Sequence, residues 1–284
     1  MAPTVTADHD PFALAAEAAR ALAERTGTER HDVAVVLGSG WSRAAAQLGD
    51  GPSVTLTDVP GFVPPSAGGH AATARSVELG GHRVLVFLGR VHLYEGHHPA
   101  VVAHQVRTAA LAGCRTVVLT NGAGSLRREW PIGQPVLIRD HINLTGRSPL
   151  TGPPPPPPPY GPRFLDVSDL YAARLRALAH TVDPDLPEGV YVGFPGPQFE
   201  TPAEVRMAGI LGGDLVGMST VLEAIAAHHM GMEVLGLSLA TNLAAGISEV
   251  PLDGADVLAA GEAAGERIGR LLAALLATDG IVRP

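Results

Sequence analysis

The chain has 284 residues, 46% of them hydrophobic and 17% charged, which excludes a globally disordered polypeptide and supplies enough apolar surface for one enzyme-sized core. Lys and Arg total 20 against 28 Asp and Glu, a net charge of −8, which excludes the broad basic surface that a nucleic-acid backbone requires. The single cysteine, Cys114, excludes an intrachain disulfide and a cysteine zinc site and suits a reducing, cytoplasmic setting.

Residues 1–9 are expected to be a flexible N-terminus; the first ten residues carry two acids and no Lys or Arg, unlike the basic start of a secretory signal. No run of about 18 apolar residues occurs, so no membrane partner is expected. Asp10-Pro11 reads as an N-cap with Pro at the first helical position, and Phe12, Leu14, Ala18, Ala21 and Leu22 recur at helical spacing until Gly27. Residues 33–37 form a continuous apolar run into Gly38-Ser39-Gly40, which reads as a buried strand, a glycine turn and a helix. Further strands are predicted over 84–88, 116–120, 135–140, 190–194, 214–218 and 234–240, with helices over 98–112, 167–181, 202–211, 220–229 and 255–278. This alternation predicts a single α/β domain spanning 1–284: three layers, α/β/α, around a mixed, largely parallel twisted sheet. Ligands in such sheets sit where the strands' C-terminal ends meet loops. A proline-rich loop is expected over 152–162. The seven consecutive prolines at 153–159 can form only an extended rod, either a stiff spacer or a ligand for an aromatic groove.

The segments after the strands carry the polar chemistry. Gly38-Ser39-Gly40 offers backbone N–H groups and a hydroxyl, read either as a plain turn or as a phosphate holder; Arg43 stands where a dinucleotide fingerprint needs its third glycine. Residues 89–96 bring Arg90, His92, Tyr94 and Glu95 together, read either as solvated loop charge or, with Arg90 and His92 on one side, as an anion site that Tyr94 extends. The small residues at 120–125 and the Gly217-Met218-Ser219-Thr220 turn repeat the anion-facing pattern. Phe199 beside Glu200 offers a stacking face and a carboxylate for a ring N–H, although Thr201-Pro202 with Glu204 equally reads as a helix cap. Asn242 adds an amide that both donates and accepts. No Gly-x-Ser-x-Gly elbow and no His-Glu-x-x-His motif occurs, so neither a hydrolase triad nor a metal is expected.

Taken in order, Gly38-Ser39-Gly40, residues 65–70, 89–96, 120–124, 140–144, 196–201, 217–223 and 241–246 make the chain resemble the trimeric, low-molecular-mass class of purine nucleoside phosphorylases over residues 10–278. The resemblance implies that Ser39, His70, Arg90, His92, Gly122 and Ser219 hold phosphate, and that Tyr94 and Met218 line the ribose. It implies that Phe199 packs on the purine and that Glu200 and Asn242 read the base. It further implies a homotrimer in which Phe164 covers the ribose of a neighbouring copy's site. The implied reaction is phosphorolysis of 6-oxopurine nucleosides, with inorganic phosphate as co-substrate, no cofactor, and Asn242, Glu200 and His92 carrying catalysis. A methylthioadenosine-type phosphorylase, a phosphate-independent nucleosidase and a non-enzymatic nucleoside-binding protein are the rival readings. Gly254 aligns with a family histidine that contacts the ribose 5′-hydroxyl, with Asp253 as a candidate substitute, and the proline run precedes Phe164. Gly69 and Gly122 are milder departures near the phosphate.

Overall fold

Strand β1 (Val33–Val36) shows how the layers form: Ala34 and Val36 pack into one buried cluster, Val33 and Val35 into another. Side chains alternate along a strand, so a strand apolar at every position demands cover on both faces. On one face lie α1 (Pro11–Thr26), α3 (His104–Leu111) and α6 (Val221–His229), supplying Leu22, Val106 and Ala226. On the other lie α4 (Ala173–Val182) and the long α7 (Gly254–Leu276), supplying Leu175, Ile268 and Leu272. The computed structural model describes residues 10–66, 71–152, 160–248 and 251–283. The expected flexible N-terminus at 1–9, His70 with Gly69, and the proline run at 153–159 lie outside the described residues.

Nine strands form one mixed sheet in the order β2-β3-β4-β1-β5-β8-β7-β6-β9. The strands not yet given are β2 (Ser53–Thr55), β3 (Thr73–Leu79), β4 (His82–Phe87), β5 (Thr116–Ser125), β6 (Pro135–Asn143), β7 (Glu188–Gly193), β8 (Leu215–Gly217) and β9 (Glu233–Leu243). Pairings β1–β4, β1–β5, β5–β9, β6–β7 and β7–β8 are parallel; β2–β3, β3–β4, β5–β8 and β6–β9 are antiparallel. Because β9 bonds both β5 and β6, the strands from β5 to β9 close on themselves as a small barrel. A closed ring gathers the ends of β5, β8 and β9 more tightly than an open sheet would.

Some predicted elements differ in the structure. The helix expected over 98–112 is two helices, α2 (Pro99–Val102) and α3, separated at Ala103. The helix expected from 167 starts at Ala173, because Tyr171 is taken up by a parallel bridge to Val234. After Gly40 the chain makes a 3-10 turn, Ser42–Gln47, in place of an α-helix. α7 lies directly against that turn: a Cβ on Gly261 would collide with the Gly40 backbone, and Cβ atoms on Gly265 and Gly269 would crowd Arg43 and Gln47. Glycine is tolerated at these helix positions because it permits backbone approach that alanine would block. Among the described residues no helix is long and apolar enough to cross a membrane, and no cluster of three metal-ligating side chains occurs.

Two buried histidines give the fold an acid sensitivity. His31 is bonded to Ser76 Oγ at 2.9 Å and His104 to the Pro60 carbonyl at 2.9 Å. Burial pulls both rings from 6.5 down to about 4, helped at His31 by Arg83 and opposed at His104 by the Pro60 bond. Between pH 6.5 and 4 the unfolded chain therefore binds more protons than the folded one, and stability falls as pH falls. Each ring is expected to remove roughly 3 kcal/mol by pH 4. Thermal melts across that range should show Tm dropping before most carboxylates titrate, and His31→Gln with His104→Gln should flatten the slope.

Candidate active site

The turns after β1 and β8 and the C-terminal halves of β5 and β9, which run on through the segments expected as turns, surround a cavity of about 460 Å³, within the usual size range for a small-molecule site. Of the residues singled out in the sequence, Ser39, His92, Tyr94, Gly122, Phe199, Glu200, Met218, Ser219 and Asn242 all line it. Asn121, Gly254, Val257 and Leu258 complete the wall, the last three from the first turns of α7. β5 orders the cavity from one side to the other. Gly122 lies against the Ser39 backbone, and two residues later Gly124 meets the Asn242 amide.

On the Ser39 side the groups are donors. The Gly38 amide donates to Thr120 Oγ1 at 3.0 Å, Thr120 Oγ1 donates to the Val36 carbonyl at 2.9 Å, and the Trp41 indole donates to the Asn121 carbonyl at 2.9 Å. These bonds pin the Ser39 turn onto β1 and β5. Arg90 does not line the cavity. It is 3% exposed and buried behind the Ser39 turn, where a Cβ on Gly38 would collide with its Nη1. Its Nη1 donates to the Thr120 carbonyl at 2.6 Å and its Nε to Glu223 Oε1 at 3.0 Å. The reason is topological: β4, which precedes Arg90, pairs with β1 one strand away from β5, so Arg90 arrives from behind.

His92 is held by Glu95, a contact the sequence showed only as proximity. Glu95 Oε1 accepts from the His92 amide at 2.6 Å and sits 3.2 Å from Nδ1, while Oε2 accepts from the Ser66 amide and hydroxyl at 2.6 and 2.7 Å. Burial alone would raise this carboxyl, but the His92 and Ser66 bonds outweigh it and hold it down at about 2. With a carboxylate at Nδ1, the ring's orientation and tautomer are set. The His92 ring also stacks on Tyr94, with centroids 4.7 Å apart and planes 14° from parallel.

On the Asn242 side the groups suit a heterocycle. Glu200 is 7% exposed, its Oε1 has no hydrogen-bond partner among the described residues, and burial pushes its pKa up. A desolvated carboxyl in this state gains most from an N–H donor. Asn242 is oriented at both ends: Oδ1 accepts from Thr241 Oγ1 at 2.9 Å and Nδ2 donates to the Leu243 carbonyl at 3.0 Å. One Nδ2 proton is thereby fixed in place, and the other points elsewhere. Phe199 is 40% exposed and offers its ring face. The helix-cap reading of this segment also holds: Thr201 Oγ1 accepts from the Glu204 amide at 3.2 Å, so Glu200 and the cap of α5 (Pro202–Ile210) coexist.

Two expected site residues lie elsewhere. Phe164 is 92% exposed and does not touch this cavity. Asp253 is the N-cap of α7, accepting from the Ala255 amide at 2.9 Å, so its carboxylate is committed to the helix. Gly254 lines the cavity, and a Cβ there would meet nothing within 4 Å.

An α/β chain whose pocket has the hydrogen-bonded Ser39 turn on one side and a carboxyl and an amide on the other can be compared with known proteins. Residues 32–277 match the family model described as the phosphorylase superfamily. The chain belongs to that superfamily and, within it, to the purine nucleoside phosphorylases, as its curated relatives show. It is 57% identical over 270 residues to the purine nucleoside phosphorylase of Cellulomonas sp, covering 93% of each chain. Identity to the Mycobacterium tuberculosis purine nucleoside phosphorylase is also 57%, covering 94% of this chain and 97% of that one. The fold matches the Schistosoma mansoni purine nucleoside phosphorylase solved with adenosine, with TM-score 0.86, 31% identity and coverage of 97% and 99%. A Schistosoma enzyme solved with hypoxanthine gives TM-score 0.84 at 30% identity, covering 97% of this chain and 99% of that one.

Proposed function

We propose that this chain cleaves 6-oxopurine nucleosides such as inosine and guanosine with inorganic phosphate, in purine salvage. The products are the free base and α-D-ribose 1-phosphate. The observation that carries the reading is the cavity's two-sided chemistry: the Glu200 carboxyl, whose buried Oε1 has no partner among the described residues, beside the oriented Asn242 amide, across from Ser39, His92, Gly122 and Ser219. A phosphate oxygen forms the new bond to C1′ as the C1′–N9 bond breaks, and the bonding pair leaves with the purine. The transition state is oxocarbenium-like, so charge develops on the base and on the sugar at once. Asn242 donates through Nδ2 toward N7 and O6 of the leaving purine, and Glu200 accepts from N1–H. Phosphate, held with His70 and with Arg90 contributing from behind the Ser39 turn, faces the sugar cation. Tyr94 and Met218 border the ribose and Phe199 packs on the base.

No metal or organic cofactor enters this scheme. Phe164, too exposed to be explained by its own chain, covers the ribose of a neighbouring copy in a homotrimer. A cytoplasmic location accords with the single cysteine, which is buried as a thiol whose pKa burial pushes up.

Purified protein should release hypoxanthine from inosine only when phosphate is present, and should prefer inosine to adenosine. Release without phosphate would make it a nucleosidase, a preference for methylthioadenosine would move it to that rival, and binding without cleavage would overturn the enzymatic reading.

A further inference from the structure

A hydroxyl holds an anion only if its proton points at the anion, and the structure contains a chain of side chains that decides where the Ser219 proton goes. Asn121 is 1% exposed, and its Nδ2, which can only donate, gives a hydrogen bond to Thr220 Oγ1 at 2.9 Å. The same oxygen faces the Glu223 amide in a capping box at the start of α6. A hydroxyl oxygen has two acceptor positions and one proton. Because the Asn121 amide nitrogen cannot accept, the Thr220 proton is directed to its other hydrogen-bonded neighbour, Ser219 Oγ, at 3.1 Å. Ser219 then accepts from Thr220, and its own proton is left for the cavity that it lines.

The backbone shows that this arrangement is held against resistance. Thr220 has φ 70° and ψ −48°, the only positive φ outside glycine among the described residues. The Val221 amide donates to the Ser219 carbonyl at 2.7 Å, closing a tight three-residue turn. A β-branched residue is strained there and persists only when its surroundings impose it. Glu223 imposes it: Oε2 accepts from the Thr220 amide at 2.9 Å while Oε1 holds Arg90. The Ser219 amide is tied as well, donating to the Tyr191 hydroxyl at 3.2 Å.

We propose that Thr220 is a positioning residue that, driven by Asn121, fixes the Ser219 hydroxyl as a donor toward the bound phosphate. The proposal rests on the reading of Ser219 as a phosphate contact. It assigns Thr220 no contact with substrate.

The test is a double-mutant cycle in the full-length protein, measuring KM for phosphate at saturating inosine and KM for inosine at saturating phosphate. Ser219→Ala should raise the phosphate KM about tenfold, the scale of one charge-assisted hydrogen bond. Thr220→Val, which keeps the branched shape and removes the hydroxyl, should raise it about threefold to tenfold and leave the inosine KM within about twofold. Thr220→Ser should restore the parent value. In the Ser219→Ala background, Thr220→Val should add nothing, because the hydroxyl it orients is gone. Full additivity, an equal rise in the inosine KM, or no rescue by Thr220→Ser would overturn the relay while leaving Ser219 as a phosphate contact. An unchanged phosphate KM in Ser219→Ala would overturn the underlying reading and the relay with it. If Thr220→Val yields no folded protein, Thr220→Ala takes its place in the cycle.

Discussion

Arg90→Ala is expected to raise the KM for phosphate by at least about a hundredfold and to lower Tm markedly, two effects with separate causes. Arg90 and Glu223 form an ion pair at 3.0 Å whose side chains are 2% and 1% exposed. Removing the guanidinium leaves Glu223 as a buried carboxylate with no cation, which costs on the order of 3–5 kcal/mol. It also frees the Thr120 carbonyl and unpins the Ser39 turn that packs over Arg90. The functional loss comes from the missing positive charge behind the anion donors, where low dielectric strengthens its field. The two effects separate in Arg90→Ala with Glu223→Gln. The neutral amide removes the uncompensated charge, so Tm should recover part of its loss, while the phosphate KM should stay high. A normal phosphate KM in either variant would remove Arg90 from the anion site.

Asn242→Asp is expected to reverse the preference between inosine and adenosine, mainly through loss of inosine activity. The Thr241 hydroxyl donates to Asn242 Oδ1, so an aspartate keeps that bond and loses the donor at the other oxygen's position. A 6-oxo group then faces an acceptor, whereas a 6-amino group finds a partner. A site built around one hydrogen bond rejects a mispaired analogue by about 10⁴-fold at best, so a fall of about 10³ in inosine kcat/KM is the expected scale. The introduced carboxylate also faces the Leu243 carbonyl, 3.0 Å from the present Nδ2, which limits how much adenosine activity appears. An unchanged ratio of inosine to adenosine kcat/KM would remove Asn242 from base reading.

What could be read in the sequence was what a continuous local pattern records. β1, β5 and β9 are buried on both faces and stood out, although β5 and β9 run on to Ser125 and Leu243 through the segments expected as turns. β3 did not stand out, because Thr73–Leu79 carries Arg75, Ser76 and Glu78 on a strand away from the sheet's centre. The closure of β5 through β9 was invisible, since it depends on β9 pairing both β5 and β6, each about a hundred residues before it in the chain. The same limit applied to the site. Arg90 and Glu223 are 133 residues apart, and Asn121 and Thr220 are 99 apart. No spacing rule connects them. Thr220 read only as a helix start, and its positive φ has no signature in a residue type that normally avoids it.

The seam between α7 and the Ser39 turn has a consequence for how such a chain can diverge. Gly40 and Gly261 meet with no room for a methyl group between them, while the same helix carries Gly254, Val257 and Leu258 into the cavity wall. Residues at the pocket rim can therefore be exchanged freely, and substrate range can drift, only while the pair behind them stays glycine. A change at position 261 would shift the helix bodily and alter every rim contact at once. At Gly254, by contrast, an added Cβ would meet nothing within 4 Å, so the first turn of the same helix has room for a side chain at the cavity wall.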